Sequence, residues 1–114
     1  MHEYSIVQAL IEQCEGQAQQ HSATEVSKVV IKIGVLSGVE PYLLEVAFAT
    51  FKETSSICQT AELEMNIQAV EILCESCGQA STLTEHNYVC PKCQSPAVSI
   101  TDGEEMFLMQ LEMA

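Results

Sequence analysis

Four of the six cysteines stand as two pairs, Cys74 with Cys77 and Cys90 with Cys93, in the pattern C-x2-C, twelve residues, C-x2-C. A C-x2-C pair sits naturally on one tight turn, and two such turns can close on a single tetrahedral ion. This is the ligand set and spacing of a four-thiolate zinc site. Gly78 and Pro91 suit the turns that each knuckle needs. Zinc held by four thiolates has no open coordination position, so it builds structure and does no chemistry. The competing reading is a pair of redox dithiols. Two pairs at this separation favour a metal. His86, between the pairs, reads as a surface residue, because four thiolates already satisfy the ion.

A second set of donors lies at the start of the chain. The α-amino group of Met1, the His2 backbone nitrogen and the His2 imidazole can close two fused chelate rings around one ion. With a pKa near 7.7–8.0, the amine is a usable ligand at neutral pH. Nitrogen-rich, tetragonal sets of this kind suit Ni(II) or Cu(II) and not Mg(II) or Ca(II). Glu3 stands next in line, through its amide or its carboxylate. The large His2 side chain is expected to obstruct removal of Met1. The bland alternative is a solvated terminus, with Glu3 placed where a carboxylate favours a helix dipole in any case.

The charge narrows the partners. Asp and Glu number 16 (15 Glu and Asp102) against four lysines (Lys28, Lys32, Lys52, Lys92) and no arginine, a formal charge of −12. Nucleic-acid affinity rests on Lys and Arg neutralising phosphates, so this balance argues against nucleic acid. It favours cations or basic protein surfaces. No run of about 18 apolar residues is present to span a membrane. No basic start followed by an apolar stretch marks a secretory signal. Paired cysteines in such a chain imply a reducing, cytoplasmic setting. Cys14 falls on the apolar stripe of a helix and reads as a small core residue, whereas Cys58 suggests no role. His21 reads as exposed. Met106, Met109 and Met113 read as strand packing and not as a copper site.

These donors need a scaffold. Residues 3 to about 20 carry Ile6, Val7, Leu10, Ile11, Cys14 and Ala18 at three-four spacing, which predicts an amphipathic helix. Val26 to Ile33 is β-branched and strand-like. A loop with two glycines follows, and Pro41 suits the first turn of a second helix. The apolar face of that helix is expected to hold Leu43, Leu44, Ala47, Phe48 and Phe51. Ala61 to Ala69 alternates, with Leu63, Met65 and Ile67 on the side expected to be buried. Met106 to Met113 is a last strand, with Phe107, Met109 and Leu111 expected on one face. The simplest topology returns this strand to the first sheet. It makes residues 71–102 an inserted zinc-binding domain in an α/β domain formed by 1–70 with 103–114. The inserted segment has little apolar content of its own, so it should need its ion to fold. The fold class is α+β: two helices on a small three-stranded sheet, with an inserted four-cysteine zinc-ribbon module.

Met1-His2-Glu3 opening an amphipathic helix, followed late in an acidic chain by C-x2-C-x12-C-x2-C, resembles the HypA family of nickel-insertion accessory proteins. The likeness also takes in Tyr4-Ser5, Ile33-Gly34 with Ser37 and Val39, Pro41 with Leu44 and Ala47-Phe48, Ala61-Glu62-Leu63, and Gly103 with Glu105. It implies a nickel metallochaperone, not an enzyme. It implies transferable Ni(II) at Met1, His2 and Glu3, and structural Zn(II) at Cys74, Cys77, Cys90 and Cys93. The implied partners are a nickel-handling GTPase of hydrogenase maturation and the [NiFe]-hydrogenase large subunit, with urease accessory proteins in some members. A different class of function, a zinc-ribbon adaptor between proteins with an inert N-terminus, is the alternative.

Overall fold

The computed structural model describes residues 2–84 and 87–114, with the backbone alone for His2. Along the chain lie α1 (His2–Gln20), β1 (Val26–Gly34), α2 (Pro41–Phe51), a single 3-10 turn (Lys52–Thr54), β2 (Glu62–Gln68), β3 (Val70–Cys74), β4 (Ala80–Leu83), β5 (Val98–Asp102) and β6 (Met106–Met113). The strands form two three-stranded sheets, ordered β2-β1-β6 and β4-β3-β5. In the first, β1 is central. It runs parallel to β2, with α2 as the crossover, and antiparallel to β6. The second sheet is wholly antiparallel. In chain order it lies between β2 and β6, so the expected return of the last strand to the first sheet is observed.

The core forms where α1 and α2 cover one face of the first sheet. Val7, Leu10, Ile11, Cys14 and Ala18 of α1 meet Val26, Val29, Ile31 and Ile33 of β1 and Leu44, Ala47 and Phe48 of α2, all buried. The α1 stripe is the one read from its three-four spacing. Helix α2 starts where Pro41 fits the first turn and the Glu40 side chain accepts the Tyr42 N–H.

Three face assignments from sequence are corrected. On β6, Phe107 and Met109 are exposed (43% and 56%), while Met106, Leu108, Leu111 and Met113 pack against the core. The cause is a bulge: Val30 pairs with Gln110 and Ile31 with Leu108, so Met109 is an extra residue and the alternation changes phase. Ile67, near the open end of the edge strand β2, is exposed beyond the cover of the core. Leu43 points outward from α2, because the buried arc of that helix is already filled by Leu44, Ala47, Phe48 and the half-buried Phe51.

The two sheets meet at a backbone junction. The Val35 N–H donates to the Gln68 carbonyl at 3.0 Å, the Leu36 N–H to that of Gly103 at 2.8 Å, and the Gly34 N–H to that of Glu105 at 3.0 Å. A Cβ on Gly34 would collide with the Gly103 carbonyl, and Gly103 itself has φ +104°. Both glycines are therefore required by the close approach and not by flexibility. Lys32 Nζ reaches Asp102 Oδ2 at 2.8 Å across the same junction. That ammonium, with the Gly103 N–H behind it, holds the Asp102 carboxyl below its usual range.

Candidate metal centre and the N-terminal motif

The cysteine cluster is built from two copies of one turn. In the first, the Cys74 N–H donates to Gln79 O and the Gly78 N–H to Cys74 O. In the second, the Cys90 N–H donates to Ser95 O and the Gln94 N–H to Cys90 O. The fifth residue of each turn has a left-handed backbone, Gly78 at φ +72° and Gln94 at φ +64°. Glycine meets that requirement without a steric cost. Gln94 meets it with a side chain, and so its role was missed in the sequence. Its position after the second C-x2-C, matching Gly78 after the first, was the available signal. Ser76 Oγ and Ser95 Oγ tie one turn to the other at 2.8 Å.

This repeat brings the four sulfurs together. All lie within 4.8 Å of one another, with Cys74 Sγ to Cys93 Sγ at 3.5 Å and Cys77 Sγ to Cys90 Sγ at 3.7 Å. A tetrahedral ion with M–S bonds of about 2.3 Å requires sulfurs about 3.8 Å apart, so the cluster fits one such ion. The backbone is arranged for thiolates. The Cys77 N–H points at Cys74 Sγ, and the Lys92 N–H at Cys90 Sγ, each at 3.4 Å. The Cys77 and Ser76 amides lower the Cys74 pKa. The Cys93 amide, with that of Lys92 behind it, holds Cys90 down to about 6 against the desolvation that would raise it. At Cys93 the Ser95 amide also favours the anion, but crowding by the other sulfurs, Cys74 first, pushes it up to about 12. Cys74 and Cys90 are buried, while Cys77 and Cys93 are exposed.

At the other end of the molecule, His2 opens α1, so the motif sits on a first helical turn. The first four N–H groups of a helix have no intrahelical acceptor. An amide at position 2 can therefore be given to a metal without breaking a helical hydrogen bond. Glu3 is half-buried, and its Oε2 accepts the Glu40 N–H at 3.3 Å, which joins the start of α1 to the cap of α2. Next to it, the Tyr4 and Phe51 rings meet edge-on, 5.3 Å between centroids. Met1 and His86 lie outside the described residues. Sequence reasoning overlooked Glu40, whose proximity to Glu3 arises only once the two helices cross.

The remaining candidates fall elsewhere. Cys14 and Cys58 are fully buried in the first core. Interaction between the two thiols lowers Cys58 to about 7 and raises Cys14. His21 is exposed, with Nδ1 at 2.9 Å from Gln17 O. No helix among the described residues is long and apolar enough to cross a membrane.

The fold and the four-sulfur cluster define a small α+β protein with a site fit for one metal ion, and comparison with known proteins narrows the class. The family model described as "Hydrogenase/urease nickel incorporation, metallochaperone, hypA" matches residues 1–113. The hydrogenase maturation factor HypA of Shewanella sp. (strain MR-7) is 57% identical over 113 residues, covering 99% of this chain and 95% of its own. The solution structure of the nickel metallochaperone HypA from Helicobacter pylori aligns with TM-score 0.71 at 40% identity, covering 97% of this chain and 96% of its own. A second solution structure of a HypA protein aligns with TM-score 0.77 at 40% identity, covering 100% and 97%. The chain belongs to the HypA family of metallochaperones for hydrogenase and urease nickel incorporation.

Proposed function

We propose that the chain carries Ni(II) on its N-terminal motif and releases it to the nickel-insertion machinery, while a zinc ion at Cys74, Cys77, Cys90 and Cys93 holds the second sheet together. It performs no catalytic step of its own. The supporting observation is the contrast between a closed four-sulfur cage and a nitrogen-rich terminus on the first turn of α1. Family membership supports the nickel reading. Nickel is bound by the Met1 amine with the His2 amide and imidazole. Glu3 stands next in line as a nickel ligand, and its Oε2 also accepts the Glu40 N–H. Residues 1–70 with 103–114 form the nickel-binding domain, and 71–102 form the zinc-binding domain.

The geometry suits a carrier. A cation at a helix N-terminus meets the positive end of the dipole, which weakens its hold. The site uses one imidazole and no thiolate, which keeps its affinity moderate. Cu(II) would outcompete Ni(II) on such donors, so selectivity comes from metal supply and hand-off. Those hand-off partners are a nickel-handling GTPase and the hydrogenase large subunit, with urease accessory proteins as further recipients, in a cytoplasmic setting. The test is a Ni(II) titration of the native chain beside a copy extended before Met1 and beside His2→Ala. The native chain should bind one nickel, both others none, and zinc should remain at one per chain in all three. Equal nickel binding by all three would place the site elsewhere.

A further inference from the structure

Helix α2 is apolar on both faces. Its inner face is buried, yet Tyr42, Leu43 and Val46 on the outer face are 69%, 48% and 43% exposed, and exposed Ala49 and Thr50 continue the stripe. Glu45 is its sole charged residue. A helix hydrophobic all round is normally a covered helix. Val46 lies four residues from Tyr42 and three from Leu43, so it joins both into one contiguous patch and not scattered exposure.

The patch is bordered by carboxylates. Glu40 caps its start, Glu45 lies on its flank, Glu53 stands in the turn just after it, and Glu3 is bonded to the Glu40 amide. Lys52, the cation next to the helix, is turned inward: Nζ donates to Ala61 O at 3.0 Å and lies 6.0 Å from the Phe48 ring centroid. An apolar centre with an acidic rim, on a chain of charge −12 without arginine, complements an apolar ridge flanked by Lys and Arg.

We propose that the outer face of α2 is the docking surface for such a basic protein surface, carried by the partner that exchanges nickel with the N-terminal motif. The inference rests on the nickel reading above. A second copy of this chain is a poor occupant, because a two-fold contact would set the same carboxylates rim to rim. Size supports continuity with the metal site. Eleven helical residues span about 16 Å, with a face about 10 Å wide. That is far short of the roughly 800 Å² per partner of a standard interface. The footprint must run past α2, and at the Glu40 end its neighbour is the start of α1. Docking thus places the acceptor over the nickel motif, with Tyr42, Leu43 and Val46 as the buried anchor.

The test uses the full chain with its native N-terminus and two charge-matched pairs, Leu43→Glu with Val46→Glu on α2 and Gln13→Glu with Gln19→Glu on the exposed side of α1. Each is assayed for bound zinc, bound nickel, thermal midpoint, sedimentation, and hydrogenase maturation in a strain lacking its own copy. The α2 pair should keep metal content, midpoint and sedimentation, and lose maturation by at least about tenfold. The α1 pair should mature hydrogenase normally, and Glu45→Gln with Glu53→Gln should lose a few-fold. Normal maturation by the α2 pair overturns the docking surface while leaving the nickel reading intact. So does a wild-type dimer that the α2 pair dissolves, which would make the face a self-contact. A native chain that binds no nickel at its N-terminus brings down the nickel reading first.

Discussion

The cysteine cluster and the N-terminal motif hold metal donors in opposite ways. The four sulfurs come from two turns whose backbone hydrogen bonds repeat residue for residue, and the amides that point at Cys74 and Cys90 prepare charge before any ion arrives. The motif at the start of α1 lies on a helix start, where the first N–H groups have no intrahelical acceptor, and Glu3 accepts the Glu40 N–H. A donor set enclosed by its own backbone suits an ion that stays. A set left over by a helix end suits an ion that moves.

The largest expected effect removes the cage. Cys90→Ser should lose the zinc and unfold β3 to β5. The apparent binding free energy of a structural zinc is on the order of 10 kcal/mol or more, above what so thin a second core supplies. The first sheet should remain folded, with its own core of α1, β1 and α2 residues. Amide dispersion by NMR would show both, and collapse of the first sheet as well would erase the distinction between the regions.

The next effect is at the junction. Gly34→Ala drives a methyl into the Gly103 carbonyl. It should destabilise the protein by roughly 1–3 kcal/mol, as overpacking does, read as a lower denaturation midpoint with zinc still bound. An unchanged midpoint would mean that the sheets do not need their close approach. Within the cage, Gly78→Ala should cost about 1–2 kcal/mol from its left-handed backbone alone, since no atom crowds the site. Gln94→Gly should stabilise the module for the same reason, and equal effects of opposite sign would show the two turns to be equivalent.

Nickel should leave on mild acidification that a tightly held zinc survives, because its binding is the weaker of the two although both release protons. Binding releases protons, so affinity should fall at least about tenfold per unit below the α-amine pKa near 7.7–8.0. Affinity flat from pH 8 to 6 would exclude the amine as a ligand. The smallest effect concerns Asp102. Its folded-state pKa is depressed by Lys32 first and by the Gly103 amide second. The stabilisation it gives is therefore present above the ordinary carboxylate range and is lost as pH falls through the depressed value. Asp102→Asn should lower the midpoint slightly at pH 7 and not at all at the acid end.

Much of this was legible in the chain. The α1 stripe, Pro41 opening α2, the central β-branched strand and the cysteine spacing each follow from short-range chemistry. The failures share a different origin. The β6 face was misassigned because the bulge at Met109 depends on how β6 registers against β1. Ile67 and Leu43 were assigned inward because a periodicity marks apolar positions without saying how much of each element is covered. Gln94 and Glu40 owe their places to backbone conformation and to a helix crossing, and neither leaves a mark on residue type. The cage was visible because its ligands are close in sequence. Glu40's place beside the N-terminal motif was not, because the helices that bring it to Glu3 begin far apart in the chain.

The central claim is that one ion stays and the other moves, and a chelator challenge tests it directly. The native chain would be loaded with one zinc and one nickel, then treated with a moderate-affinity chelator at pH 7.5 while both metals and free thiols are followed in time. The account predicts that nickel leaves in a single fast phase, zinc remains at one per chain, and no thiol becomes reactive. Zinc leaving together with nickel, or thiols appearing as nickel departs, would contradict it by showing that the two metals share one site.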